Sequence, residues 1–290
     1  MINFGPVITA MITPFKENGQ VDYDEAVKLA LYLSENGSDS IVLSGTTGES
    51  PTLTHEEEFE LYKVIVKNLK GKVKIIAGTG SNSTETAIQC TRLAEKVGVD
   101  ASLQVVPYYN KPPQEGLIQH FTRIANATEL PIMLYNIPGR TGIALHPETI
   151  QTLSLHKRIV ALKEAGGSVE QFKKIKSLVS PSFLMYSGDD AMTLPFLKEG
   201  AVGVVSVASH LVGPLIQDMI NAFFSGKKDK ANAYHEKLLP LCELLFSTTN
   251  PIMIKAAMGL KGFKVGHPRL PLIKANTEQE QQLRAYLEKI

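Results

Sequence analysis

The sequence predicts an α/β protein, a (β/α)8 TIM barrel with a C-terminal helical extension. Two observations predict it. Eight short apolar runs, each ending in small or polar residues, start 33, 33, 28, 31, 27, 24 and 18 residues apart. The segments between them carry helix-start and helix-face signals. Near-continuous apolar strands suit a parallel sheet covered on both faces, and eight strand–helix units in about 225 residues fit a closed barrel of typical size. An open doubly wound sheet is the rival, and eight regular units favour closure.

The strands are expected to begin near Val7 (VITAMIT), Ser40 (SIVLSG), Val73 (VKIIAG) and Ala101 (ASLQVV), then near Ile132 (IMLYN), Ile159 (IVALK), Phe183 (FLMYSG) and Ala201 (AVGVVSV). Asp22 and Glu25 form a capping-box pattern ahead of Leu29 and Leu33, with Asn36-Gly37 as the stop. Thr54 and Glu57 repeat the box before Phe59, Leu61 and Ile65. Helices are expected over 84–97, 115–127, 147–155 and 169–178, with a short one over 192–198. From about Leu211 the chain reads as helices without further strands, giving a catalytic barrel over 1–224 and a helical region over 225–290.

Composition narrows the function. Thirty basic and 29 acidic residues give a net charge of +1, and no basic block is interleaved with aromatics, so nucleic-acid binding is not expected. No apolar stretch reaches the roughly 18 residues a membrane helix needs. The start, MINFGPVITAMITPF, lacks the basic head and apolar core of a signal peptide. Two cysteines far apart read as reduced thiols of a cytoplasmic protein. Seven histidines show neither HxH nor HExxH spacing, so no metal site is expected.

Chemistry in a barrel gathers at the C-terminal ends of the strands. Those ends read GTTGES, GTGSN, PYYNKP, YNIPGRT, KEAGG, SGDD and VSVASH from the second strand to the eighth. Hydroxyls, tyrosines, an arginine and a strand-end lysine converge there without a metal-ligand motif. Lys163 closes an apolar strand, where desolvation disfavours its charged form, and a neutral amine can attack a ketone to form a Schiff base. Tyr135, on the neighbouring strand, is placed to shuttle the proton. Thr46 and Thr47 suit a carboxylate, and Arg140 a second one held in bidentate fashion. Gly78 and Gly80 begin a GxG, but Ser83 breaks the dinucleotide fingerprint, and no phosphate loop is present.

GTTGESPTL, IIAGTGSN, PYYNKPPQEG, LYNIPGRTG, ALKEAGG, YSGDDA, GVVSV and NPIMIK occur in that order. Together they resemble the dihydrodipicolinate synthase family, within the N-acetylneuraminate lyase and class I aldolase superfamily, along essentially the whole chain. The resemblance implies a cofactor-free lyase of lysine and diaminopimelate biosynthesis that condenses pyruvate with L-aspartate 4-semialdehyde. It implies Lys163 as the Schiff base, Tyr135 as proton donor and acceptor, and Thr46 and Tyr109 as the rest of a proton relay. Thr47 would hold the pyruvate carboxylate, the backbone of Val205 would lie against pyruvate with Gly188 nearby, and Arg140 would clamp the semialdehyde. In the family the tyrosine matching Tyr109 crosses a subunit interface, which implies a homotetramer, a dimer of dimers. Related members cleave sialic acid or 2-keto-3-deoxy sugar acids, and a non-catalytic keto-acid sensor or a phosphate-binding isomerase are the other readings. The SGDD carboxylates disfavour the last. The family's lysine effector site would match Ser50, Pro51, His55, Glu58, Gly80, Asn82, Thr86 and Tyr108. Glu58 in place of histidine and Thr86 in place of glutamate imply weak or absent lysine inhibition.

Overall fold

The structure is a computed structural model that describes residues 3–288. Eight parallel strands close into a barrel in sequence order: β1 (Val7–Ala10), β2 (Ser40–Leu43), β3 (Lys74–Gly78), β4 (Ala101–Val105), β5 (Ile132–Asn136), β6 (Ile159–Glu164), β7 (Leu184–Ser187) and β8 (Gly203–Ser206). The helices on the outside are α1 (Tyr23–Glu35), α2 (His55–Leu69), α3 (Thr84–Val97), α4 (Gln114–Asn126), a one-turn α5 (Pro138–Thr141), α6 (Pro147–Ser154), α7 (Val169–Leu178), α8 (Thr193–Lys198) and α9 (Ser209–Phe224). Then α10 (Lys228–Leu245), α11 (Ile252–Leu260) and α12 (Thr277–Leu287) complete the extension. No helix among the described residues is long and apolar enough to cross a membrane.

Local chemistry accounts for most boundaries. The Thr54–Glu57 box that opens α2 is complete in both directions, whereas only half of the expected box at α1 forms. Asp22 accepts from the Glu25 amide, but the Glu25 carboxylate turns to the backbone of Lys264 instead. Tertiary demand outweighs the local cap there. Gly37 ends α1 at φ +87°, and a Cβ at that position would sit 2.5 Å from the Gly213 backbone of α9, so the stop also serves close packing. Several strands start one or two residues later than their apolar runs. Val73, Phe183 and Ala201 are buried at the barrel floor but lie outside the ladder.

Two apolar layers result. An outer cluster joins the helices to the strands' outward residues, and an inner one fills the barrel with Phe4, Ile8, Val42, Ile76, Leu103, Met133, Ala161, Tyr186 and Val205. Between β5 and β6 the register shifts, because Ile132 pairs with Ile159 but Met133 pairs with Ala161. The extra residue in β6 matters, since a one-residue slip turns every later side chain to the other face. It brings Lys163 level with inward-facing Tyr135 and leaves Glu164 level with outward-facing Asn136.

Buried His210 ties α9 to the first loop. Its Nδ1 donates to the Val207 carbonyl at 2.8 Å and its Nε2 accepts from the Ile12 amide at 3.2 Å, which fixes a neutral ring. Burial pulls its pKa down to about 4, and His120 is pulled down to about 4 in the same way. A histidine with a depressed folded pKa binds fewer protons folded than unfolded, so its stabilisation is present above pH 6.5 and lost as pH falls toward 4. For His210 this is about 3 kcal/mol. Burial raises the Glu164 carboxyl to about 6, which works in the opposite sense over the same range. The expected result is a melting temperature that falls from pH 6.5 to 4, with a shallower fall in His210→Gln. Equal slopes in the two proteins overturn the assignment.

Candidate active site

The sequence-predicted residues come from six strand ends. Lys163 on β6 is 6% exposed, with its Nζ 4.1 Å from the centroid of the Tyr135 ring on β5. None of the ion pairs among the described residues involves Lys163, so its nitrogen is not held by a carboxylate. On the other side, β7 brings Tyr186 level with Lys163, and the Tyr186 hydroxyl turns away to the Gly5 carbonyl. Gly188 follows. A Cβ there would lie 2.9 Å from the Ala165 Cβ and 3.0 Å from the Lys163 Cγ, so only glycine leaves the lysine stem its path. Val205 on β8 pairs with Ile8 and belongs to the same inner layer.

The β2 loop supplies the hydroxyls. Ser44 and Glu49 both adopt left-handed backbone, at φ 51° and 58°, conformations that cost a non-glycine residue of order 1 kcal/mol or more. Between them Thr46 is half-buried and Thr47 is buried. The Gly48 carbonyl accepts from Thr13 at 2.7 Å, and Gly78 lies so close to the Ser44 carbonyl that a Cβ there would stand 2.2 Å from it.

What keeps this loop in place comes from the far end of the chain. Asn250 donates to the Thr47 hydroxyl at 2.9 Å. Lys255 on α11 and Glu49 form an ion pair at 2.6 Å, each side chain 1% exposed, with the ammonium over the Phe15 ring. Burial pulls Lys255 down to about 8 even though Glu49 pulls it up, so desolvation outweighs the attraction. The second Glu49 oxygen accepts from the Arg269 amide, while the Arg269 guanidinium forks onto Glu57 at 2.7 and 2.6 Å. Below the β8 loop, buried Asp190 accepts from the Ser206 hydroxyl and the Val207 and Ala208 amides. Hence one of the SGDD carboxylates, Asp190, braces the β8 loop.

Two predicted residues stand apart from the group. Arg140, on α5, is exposed at the rim with no ion-pair partner among the described residues. Tyr109 is 90% exposed and held at φ 72°. Asn250, Glu49, Lys255 and Arg269 are the site residues that sequence reasoning did not single out. The available signal was a lysine inside the apolar stretch IMIKAAMGL. At the Glu58 position, the carboxylate is buried, accepts from Ser50 at 2.7 Å and pairs with His55 at 3.2 Å, and burial raises its pKa.

Comparison with known proteins covers the same ground. A family model described as the dihydrodipicolinate synthetase family matches residues 3–290. A 4-hydroxy-tetrahydrodipicolinate synthase of Thermosynechococcus vestitus is 57% identical over 289 residues, spanning 99% of this chain and 98% of that one. The crystal structure of DHDPS from Cyanidioschyzon merolae with lysine bound superposes with a TM-score of 0.97 at 54% identity, covering 98% of this chain and 97% of that one. Dihydrodipicolinate synthase from Bacillus anthracis gives a TM-score of 0.98 at 46% identity, covering 100% and 99%. The likeness runs through the barrel and the C-terminal helices alike, and the chain belongs to the dihydrodipicolinate synthetase family.

Proposed function

We propose that this chain condenses pyruvate with L-aspartate 4-semialdehyde through a Schiff base on Lys163, giving 4-hydroxy-tetrahydrodipicolinate and water in the diaminopimelate route to lysine. The observation that carries the reading is a buried, unpaired lysine at the end of β6 beside a tyrosine at the end of β5. The amine attacks the pyruvate ketone and water leaves, forming an iminium that draws electrons from the methyl group. Loss of a methyl proton gives an enamine, whose carbon bonds to the aldehyde carbon while the aldehyde oxygen takes a proton. The semialdehyde's own amine then attacks the iminium carbon, closes the ring and expels Lys163. Every electron is accounted for by substrate and lysine, so the scheme calls for no cofactor.

Tyr135 serves as the proton donor and acceptor, Thr46 continues the relay, and Thr47 holds the pyruvate carboxylate between Val205 and Gly188. Tyr135→Phe is expected to lower kcat by ~10²–10⁴-fold, the usual worth of a placed acid–base group, while pyruvate still forms its adduct. Retention of wild-type kcat removes Tyr135 from the scheme. Arg140 clamps the semialdehyde carboxylate. Arg140→Ala should raise the KM for semialdehyde about tenfold or more, as loss of a charge-assisted pair does, with pyruvate kinetics little changed. The exposed guanidinium suits a small dicarboxylic product better than a polyol chain, which is why sugar-acid cleavage takes second place.

The exposure of Tyr109 supports a homotetramer, a dimer of dimers, in which this ring completes the relay of a neighbouring subunit. We place the enzyme in the cytoplasm and divide it into a catalytic barrel over 1–224 and a helical region over 225–290. Free lysine inhibits weakly in this reading. The Glu58 carboxylate is already satisfied by Ser50 and His55, and Thr86 carries no charge. The lysine-bound Cyanidioschyzon merolae relative makes titration of the activity with lysine the check, and sub-millimolar half-inhibition rejects it.

A further inference from the structure

Thr47 has a single hydrogen bond to its hydroxyl among the described residues, and it comes from 203 positions away. The Asn250 amide nitrogen donates to Thr47 Oγ1 at 2.9 Å, and both side chains are buried. Asn250 Oδ1 is itself buried without a partner. A hydroxyl has one proton to give and lone pairs to receive. With a lone pair taken by the amide, the Thr47 proton is left to point elsewhere. The same segment is pinned again five residues on, where Lys255 grips Glu49, and the Arg269 amide holds the other Glu49 oxygen. Positions 250 and 255 therefore hold positions 47 and 49, and the amide cannot drift off the hydroxyl.

We propose that Asn250 is a positioning residue for the ketoacid: by donating to Thr47 it fixes the direction of that hydroxyl, so that Thr47 gives its proton to the substrate carboxylate. A threonine that gave its proton to Asn250 would present only lone pairs to an anion. The inference rests on the reading of Thr47 as the pyruvate-carboxylate site. The amide lies on the C-terminal region and touches no reacting atom, so its effect belongs to binding of pyruvate and not to the chemical steps.

The test uses the full chain and pyruvate, with borohydride-trapped adduct on Lys163 measured against pyruvate concentration, alongside steady-state kinetics. Asn250→Ala is expected to raise both the half-saturation of trapping and the pyruvate KM about tenfold, the scale of a hydrogen bond to a charged group. The semialdehyde KM and the adduct yield at saturating pyruvate stay near wild type, a split that general loosening of the fold does not produce. Thr47→Val should give a similar rise, and Asn250→Ala added to Thr47→Val should raise it no further. Should Asn250→Ala fold poorly, isosteric Asn250→Asp carries the test, because a carboxylate can only accept the Thr47 proton and must weaken pyruvate at least as much. Unchanged pyruvate saturation in Asn250→Ala or Asn250→Asp overturns the proposal, as does a full second loss on the Thr47→Val background. Unchanged saturation in Thr47→Val removes the carboxylate site itself, and the proposal falls with it while Lys163 chemistry stands.

Discussion

Lys163→Ala is expected to abolish the borohydride-trapped pyruvate adduct and to lower kcat/KM by about 10⁴-fold or more, the scale seen when a covalent nucleophile is deleted. The reason is geometric. Lys163 is buried, lies against Tyr135 and has no counter-ion, whereas the chain's other deeply buried lysine, Lys255, is neutralised by Glu49. Only the first has its nitrogen free of a carboxylate and beside the tyrosine that would handle the proton. Mass spectrometry of the trapped protein should find the added mass on the peptide containing ALKEAGG and nowhere else. An adduct on Lys255, or full activity in Lys163→Ala, ends the proposed chemistry. Lys163→Arg makes a useful companion, because it keeps a cation at the site and still cannot form the imine.

The second large effect is on stability. Lys255→Met leaves Glu49 as a buried carboxylate whose only remaining donor is the Arg269 amide. Removing one partner of a buried ion pair costs about 3–5 kcal/mol, which lowers the melting temperature by roughly 10 °C in a chain of this size. Glu49→Gln should be damaging for the mirror-image reason, since it strands the ammonium over Phe15. Replacing both with apolar residues of similar volume should recover much of the melting temperature, because desolvation of the pair outweighs its attraction. It should not recover pyruvate affinity, since Glu49 holds its left-handed turn two residues after Thr47. A Lys255→Met protein that melts like wild type contradicts the structural role of the pair.

Much of the site was legible because it follows from strand periodicity. Each apolar run had to end at the same rim, so the residues at the ends of β2, β5 and β6 had to come together. Lys163 stood out as a charge at the end of VALK. The register shift at Ile132 and Met133, which turns that lysine to the same face as Tyr135, left no mark in the run IVALKE. The partnership of Asn250, Lys255 and Arg269 with the β2 loop also escaped, since it joins positions more than 200 residues apart and NPIMIKAAMGL reads as an ordinary apolar helix. Glu25 shows the same limit on a smaller scale. Its spacing from Asp22 is that of a capping box, yet its carboxylate serves Lys264, a partner that only the folded chain supplies. Tyr109 sits in a motif that marks it clearly, but nothing in the motif tells of its left-handed backbone or its 90% exposure.

The ties from residues 250, 255 and 269 to residues 47 and 49 have an effect on how the protein is born. Translation delivers the hydroxyl loop early and its braces last, so Glu49 gains its counter-charge and its amide donor only once residues 255 and 269 have been made and docked. The last forty or so residues thus act as a seal on manufacture, and a chain cut short before them is expected to leave the turn around Thr47 unbraced.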